Sequence, residues 1–211
     1  MLEPLMHRLA TQRIVLASGS PRRKLILENI GLKFEVVPST FEENLRKEDF
    51  EFPFDYVKET AKGKALEVAK RLAKDARPPD LIIGSDTVVT MDNKIYEKPV
   101  DKEHAFQMIS SYMGRSHTVY TGVVMLTPKK GNWDDFNITS FHAGTDVTFA
   151  EVDSDTIRKY IDTGEPMDKA GGYGIQAAGG TLISGINGDY FNVMGFPLHL
   201  FAKHLVQIYT S

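Results

Sequence analysis

Arg13-Ile14-Val15-Leu16-Ala17-Ser18-Gly19-Ser20-Pro21-Arg22-Arg23-Lys24-Leu25-Ile26-Leu27-Glu28-Asn29-Ile30 runs from an apolar strand pattern, through a turn of two hydroxyls and a glycine, into a helix pattern. Proline suits the first position of a helix, and the free N–H groups of a helix start favour an anion. Arg22 and Arg23 add flat forks of donors matched to phosphate oxygens. Ser18, Ser20, Arg22, Arg23 and the helix start thus describe a phosphate site, with an ordinary Ser-Pro helix N-terminus and a surface arginine pair as the plainer alternative.

Working outward, apolar and helical patterns alternate: a strand at 34–37, an amphipathic helix at 54–74, and a strand at 81–89 that is apolar on both faces apart from its centre. A short strand follows at Ile95-Tyr96, and Asp101 caps a helix over 104–112. Strand patterns at 117–126 and 137–150, joined by the turn Pro128-Lys129-Lys130-Gly131-Asn132, predict a long hairpin before a helix at 154–162. The glycine-dense stretch 164–195 then reads as an ordered wall of a binding site, because Ile175, Leu182, Ile183, Ile186, Phe191 and Val193 recur through it at strand spacing; a flexible linker is the alternative. A helix at 197–208 ends the pattern, and Ile208-Tyr209-Thr210-Ser211 is expected to carry no disordered tail. This order predicts an α/β protein with a mixed, twisted sheet flanked by helices, two lobes and a central cleft, formed by a single domain over residues 1–211.

The 211 residues contain no cysteine, which removes thiolate nucleophiles, disulfides and cysteine-based zinc sites. Net charge is −3 with acids and bases interspersed, so no broad basic surface is expected for nucleic acid, and no apolar run is long enough to span a bilayer. A cytoplasmic protein without nucleic-acid or membrane partners is expected. No Gly-x-x-x-x-Gly-Lys-Ser/Thr run and no Gly-x-Gly-x-x-Gly turn occurs, which argues against a P-loop switch and a dinucleotide-dependent oxidoreductase.

Asp86 is a carboxylate inside an apolar strand, costly to bury without a cation or a chemical purpose. It is expected at a strand end facing a cleft, the alternative being that it caps a neighbouring turn. Glu97-Lys98-Pro99, Lys64 and Asp168-Lys169 place further charges near element ends, where ligands bind. Trp133 stands in a hairpin segment as a packed loop tip, or alternatively as a partner contact.

Ser18-Gly19-Ser20-Pro21-Arg22-Arg23, Gly84-Ser85-Asp86-Thr87, Glu97-Lys98-Pro99 and Asp168-Lys169-Ala170-Gly171-Gly172-Tyr173-Gly174-Ile175-Gln176 resemble, in order and spacing, the Maf family of nucleoside triphosphate pyrophosphatases. The resemblance extends to its dTTP/UTP subgroup and to the Maf-like domains of acetylserotonin O-methyltransferase-like proteins, through Glu59-Thr60-Ala61-Lys62 and Gly164-Glu165-Pro166-Met167. It implies the family fold, a homodimer, and hydrolysis of dTTP, UTP, CTP or modified pyrimidine nucleotides to the monophosphate and pyrophosphate with a divalent cation, usually Mg²⁺. It implies Asp86 as proton acceptor, Glu43 and Asp86 as metal ligands, and Ser18, Arg22, Arg23, Lys64 and Lys98 on the phosphates. Specificity would fall to Arg22, Thr87 and Gln176, although Gln176 could equally tie down its loop. The family often has Asp-x-x-Glu where this chain has Phe41-Glu42-Glu43, leaving Glu42 as the alternative to Glu43, and Ser85 stands where alanine is common. A non-catalytic nucleotide-binding regulator would use the same cations and glycines.

Overall fold

The computed structural model describes residues 1–210, so the expectation for Ser211 lies outside the described residues. Helix α1 (Glu3–Leu9), which no pattern signalled, leads into strand β1 (Ile14–Leu16), buried at all three residues. Helix α2 (Pro21–Asn29) begins with Pro21 at its first position and with Ser20 as its cap, the Ser20 hydroxyl accepting from the Arg23 N–H. Strand β2 (Glu35–Val36) and helix α3 (Pro53–Leu72) follow, then β3 (Leu81–Met91) and β4 (Lys94–Tyr96). Helix α4 (Lys102–Tyr112) is capped by Asp101 as expected, its carboxylate accepting from the His104 N–H. Strands β5 (Ser116–Lys129) and β6 (Asn132–Phe149) form the long hairpin, with its turn narrowed to Lys130-Gly131, before helix α5 (Ser154–Asp162). The glycine-dense stretch is ordered as short 3-10 turns, strand β7 (Ile183–Asn187) and helix α6 (Tyr190–Met194), and helix α7 (Leu198–Thr210) comes last.

Seven strands make one mixed sheet in the order β2-β1-β3-β5-β6-β7, with β4 paired to the far end of β3. β1 is parallel to β2 and β3; the other pairs are antiparallel. Helix α3 lies close on one face because Gly84 on β3 and Gly122 on β5 leave room for its backbone: a methyl at Gly84 would stand 2.3 Å from the Ala61 carbonyl oxygen, and one at Gly122 would stand 2.7 Å from the Lys58 nitrogen. Two further apolar clusters form. One joins α1, α2 and α7 to Leu81, Ile83, Val123 and Met125; the other joins α4 and α5 to Val89, Val119, Val147 and Phe149. Trp133 is buried, its indole N–H donating to the Pro79 carbonyl at 2.8 Å, so it packs against the sheet.

β1 pairs with β3 only as far as Leu16 opposite Ile83. Beyond that register β3 continues, paired with β5 and, from Val89, with β4. The edge of β3 around Asp86 is therefore open where β1 stops, which is where a ligand crevice belongs in a sheet of this kind.

Candidate active site

Asp86 lies in the middle of β3, opposite Gly122 on β5, and not at a strand end. The cleft reaches it because the neighbouring strand ends, a feature that the residues of β3 themselves do not reveal. Alternation along β3 sends Asp86 to the α3 face with Gly84, and Thr87 to the opposite face. Both line a cavity of about 680 Å³, within the usual range for small-molecule sites. Ser18, Arg22, Arg23, Glu43, Lys64, Lys98 and Gln176 line the same cavity.

On the α3 side, the Lys64 ammonium sits 2.8 Å from Asp86 Oδ1 and 2.9 Å from Glu43 Oε2. Burial pushes the Asp86 carboxyl above its usual pKa, opposed by the charges of Lys64 and Arg23. Glu43 rather than Glu42 reaches this point; the Glu42 carboxylate accepts from the Asn44 side chain. No group of three or more histidine, aspartate or glutamate side chains suited to a metal occurs among the described residues. Two convergent carboxylates fit Mg²⁺ nonetheless, since that ion commonly takes one or two carboxylates and completes its shell with water and substrate phosphates.

Arg23 differs from its neighbour. Its guanidinium is buried and donates through Nε to the Gly195 carbonyl at 2.9 Å, through Nη1 to Ser18 Oγ at 3.0 Å and through Nη2 to Thr87 Oγ1 at 3.0 Å. Burial disfavours its charge and lowers its pKa, and the nearby charge of Asp86 opposes this only in part. Arg23 thus ties the turn after β1 to β3 and to the turn after α6. Arg22 is half-buried and pairs with Asp168 at 3.3 Å, across the cleft. Lys98 is exposed and has no ion-pair partner among the described residues.

Glu97 also lines the cavity, although it is not among the expected site residues. Its carboxylate accepts from the Tyr56 hydroxyl at 2.8 Å and pairs with Lys47 at 2.6 Å, while its carbonyl accepts from the Gly171 N–H. Burial pushes this carboxyl up, but Lys47 and Tyr56 outweigh it and hold it below the usual range. The place of Glu97 beside Lys98 was the available signal. Gln176 is exposed, and its side chain makes no hydrogen bond to the protein among the described residues, so it is not what holds its loop.

A family model described as Maf-like protein matches residues 13–208. The chain is 51% identical over 211 residues to a human "Probable bifunctional dTTP/UTP pyrophosphatase/methyltransferase protein", covering 99% of this chain but spanning only 34% of that protein. It is 46% identical over 194 residues to a "dTTP/UTP pyrophosphatase" of Clostridium perfringens strain 13, covering 92% of this chain and 95% of that protein. Among solved structures, a HAM1 protein from Coxiella burnetii matches over 93% of this chain and 100% of that one, with 13% identity and a TM-score of 0.44.

Proposed function

The chain belongs to the Maf-like family, and from this we propose that it hydrolyses dTTP and UTP, and by extension CTP and modified pyrimidine nucleotides, to the monophosphate and pyrophosphate. The observation that carries the proposal is the meeting of Asp86, Glu43 and Lys64 in one cavity with Ser18, Arg22 and Lys98. Relatives named as dTTP/UTP pyrophosphatases favour this over a binding-only regulator.

Asp86 takes a proton from the attacking water and orients its lone pair towards the α-phosphorus. The new bond joins that oxygen to the α-phosphorus as the bond to the bridging α–β oxygen breaks, and pyrophosphate leaves. Arg22 and Lys98 neutralise the triphosphate, and Lys64 sits close enough to Asp86 to serve both the carboxylate and a phosphate. Arg23 acts on the phosphates through the Ser18 hydroxyl it holds in place. Thr87, Arg22 and Gln176 would read the nucleotide, the free amide of Gln176 being able to donate and accept against the carbonyl and N3–H of uracil or thymine. Glu43 and Asp86 would hold Mg²⁺, which when bound withdraws charge from phosphate oxygens. The same reading has the protein act as a homodimer in the cytoplasm, with one catalytic domain over residues 1–211 and neither nucleic acid nor membrane as a partner. Its net charge of −3 supports the last point.

Pyrophosphate release from a nucleotide panel with Mg²⁺ tests the activity, and ¹⁸O-water locates the attack: label is expected in the monophosphate, and label in pyrophosphate would place attack at the β-phosphorus. Asp86→Asn is expected to lower kcat by about a hundred- to ten-thousand-fold with folding retained; near wild-type turnover would remove Asp86 as the base.

A further inference from the structure

The loop that carries Gln176 is held by a residue outside the cavity lining. Glu165 follows α5, and its carboxylate accepts three hydrogen bonds: at Oε1 from the Tyr160 hydroxyl at 3.1 Å and from the Gly179 N–H at 3.1 Å, and at Oε2 from the Ala178 N–H at 3.0 Å. The Tyr160 oxygen in turn accepts from the Gly174 N–H at 3.3 Å. Burial, with Glu165 beside it, raises the Tyr160 pKa, so the hydroxyl stays a donor. Glu165 is itself fixed, its N–H donating to Thr163 Oγ1 at 3.1 Å and its carbonyl accepting from the Lys169 ammonium at 2.7 Å. The loop is therefore clamped at Gly174 on one side of Gln176 and at Ala178 and Gly179 on the other, while the Gln176 amide itself is left free to face the cavity.

We propose that Glu165 is a positioning residue for base recognition: its carboxylate, with Tyr160, fixes the loop 174–179 and so sets where Gln176 meets the pyrimidine. This rests on the pyrimidine-nucleotide reading of the site. Glu165 does not line the cavity, and it acts only through the loop. A loop left to order itself when the nucleotide arrives would weaken binding of the base without altering the phosphate contacts, because those come from other elements.

Glu165→Gln replaces one acceptor oxygen by an N–H₂ that meets a backbone N–H donor. The test compares wild type, Glu165→Gln and Tyr160→Phe, the last removing the same clamp more gently. Backbone amides of 174–179 are expected to exchange with deuterium faster in both variants. KM for UTP is expected to rise about tenfold in Glu165→Gln and less in Tyr160→Phe, with kcat within about twofold. The inhibition constant of inorganic tripolyphosphate, a probe without a base, is expected not to change. Unchanged exchange, or a KM for UTP and a tripolyphosphate constant that rise together, would overturn the proposal, the second outcome marking general damage to the site. Should wild type cleave no UTP, the pyrophosphatase reading falls; calorimetric affinities for UTP and tripolyphosphate then replace the kinetic constants, and the exchange data judge the clamp unaltered.

Discussion

Arg22 and Arg23 are chemically identical and adjacent, yet the protein uses them for different ends. Arg23 is enclosed and donates to Ser18, Thr87 and the Gly195 carbonyl; Arg22 is half-buried and pairs with Asp168, an exposed partner across the cleft. Removing Arg23 takes the guanidinium donor from the Gly195 carbonyl and one hydrogen bond each from Ser18 Oγ, which still accepts from the Ser20 N–H, and Thr87 Oγ1, which still meets Thr121 Oγ1, a loss of roughly 1–3 kcal/mol, whereas removing Arg22 breaks a pair whose partner is exposed to water. Arg23→Ala is therefore expected to lower the midpoint of thermal unfolding by roughly 5–10 °C, and Arg22→Ala to leave it nearly unchanged while raising KM for the triphosphate. Calorimetry beside steady-state kinetics checks the pair, and equal midpoints would contradict the division. The sequence indicated that both arginines belong near phosphate, since residue type and the β-turn-α pattern are local. Their separation was not legible, because the groups that enclose Arg23 come from β3 and from the turn after α6, far along the chain. Glu165 falls within the resemblance, but its hold on the Gln176 loop was not legible for the same reason: the backbone N–H groups it accepts from lie 13 and 14 residues away, across a loop with no periodicity.

At the scale of elements, the close approach of α3 to the sheet sets the distance from Lys64 to Asp86. Gly84 lies two residues before Asp86 on the same face of β3, directly beneath Ala61 and Ala65 of the helix. Gly84→Ala must push α3 outward, and overpacking of this kind typically costs about 1–3 kcal/mol. The expected result is lower stability together with a fall in kcat, because the ammonium is drawn away from the carboxylate. Chemical denaturation and pyrophosphate release measure the two, and an unaffected kcat would separate the helix position from the chemistry. Long periodic elements such as α3 and the β5–β6 hairpin were readable because many residues repeat one signal. α1, β7 and α6 are short, and the last two lie among glycines and turns, so the strand spacing read through 164–195 holds for Ile183 and Ile186 on β7 but not for Phe191 and Val193, which lie on helix α6. Asp86 was expected at a strand end and lies mid-strand, since the opening beside it is made by where β1 stops.

Across the whole molecule, stability should depend on pH through His117. This residue on β5 is enclosed by Tyr112, Phe149 and Tyr173, with its Nε2 2.7 Å from the Tyr173 hydroxyl. Burial holds its pKa down at about 4, against the milder opposing charge of Asp146. The unfolded chain, with an ordinary histidine near pH 6.5, therefore binds a proton that the folded protein refuses, and stability is lost as pH falls from about 6.5 towards 4. The loss from this residue is about 2 kcal/mol by pH 5. His142, also lowered chiefly by burial, adds in the same direction. His117→Phe is expected to flatten the decline in unfolding free energy between pH 7 and pH 5, and an unchanged slope would assign the decline elsewhere. β3, β5 and β6 each contribute residues both to the apolar cluster of α1, α2 and α7 and to that of α4 and α5. A hinge needs a few backbone residues free to absorb a rotation, and three hydrogen-bonded strands running through both clusters together deny it one. The two walls of the cleft are therefore expected to keep their spacing when a nucleotide enters, so that recognition falls to side chains already in place rather than to closure of one half of the molecule on the other.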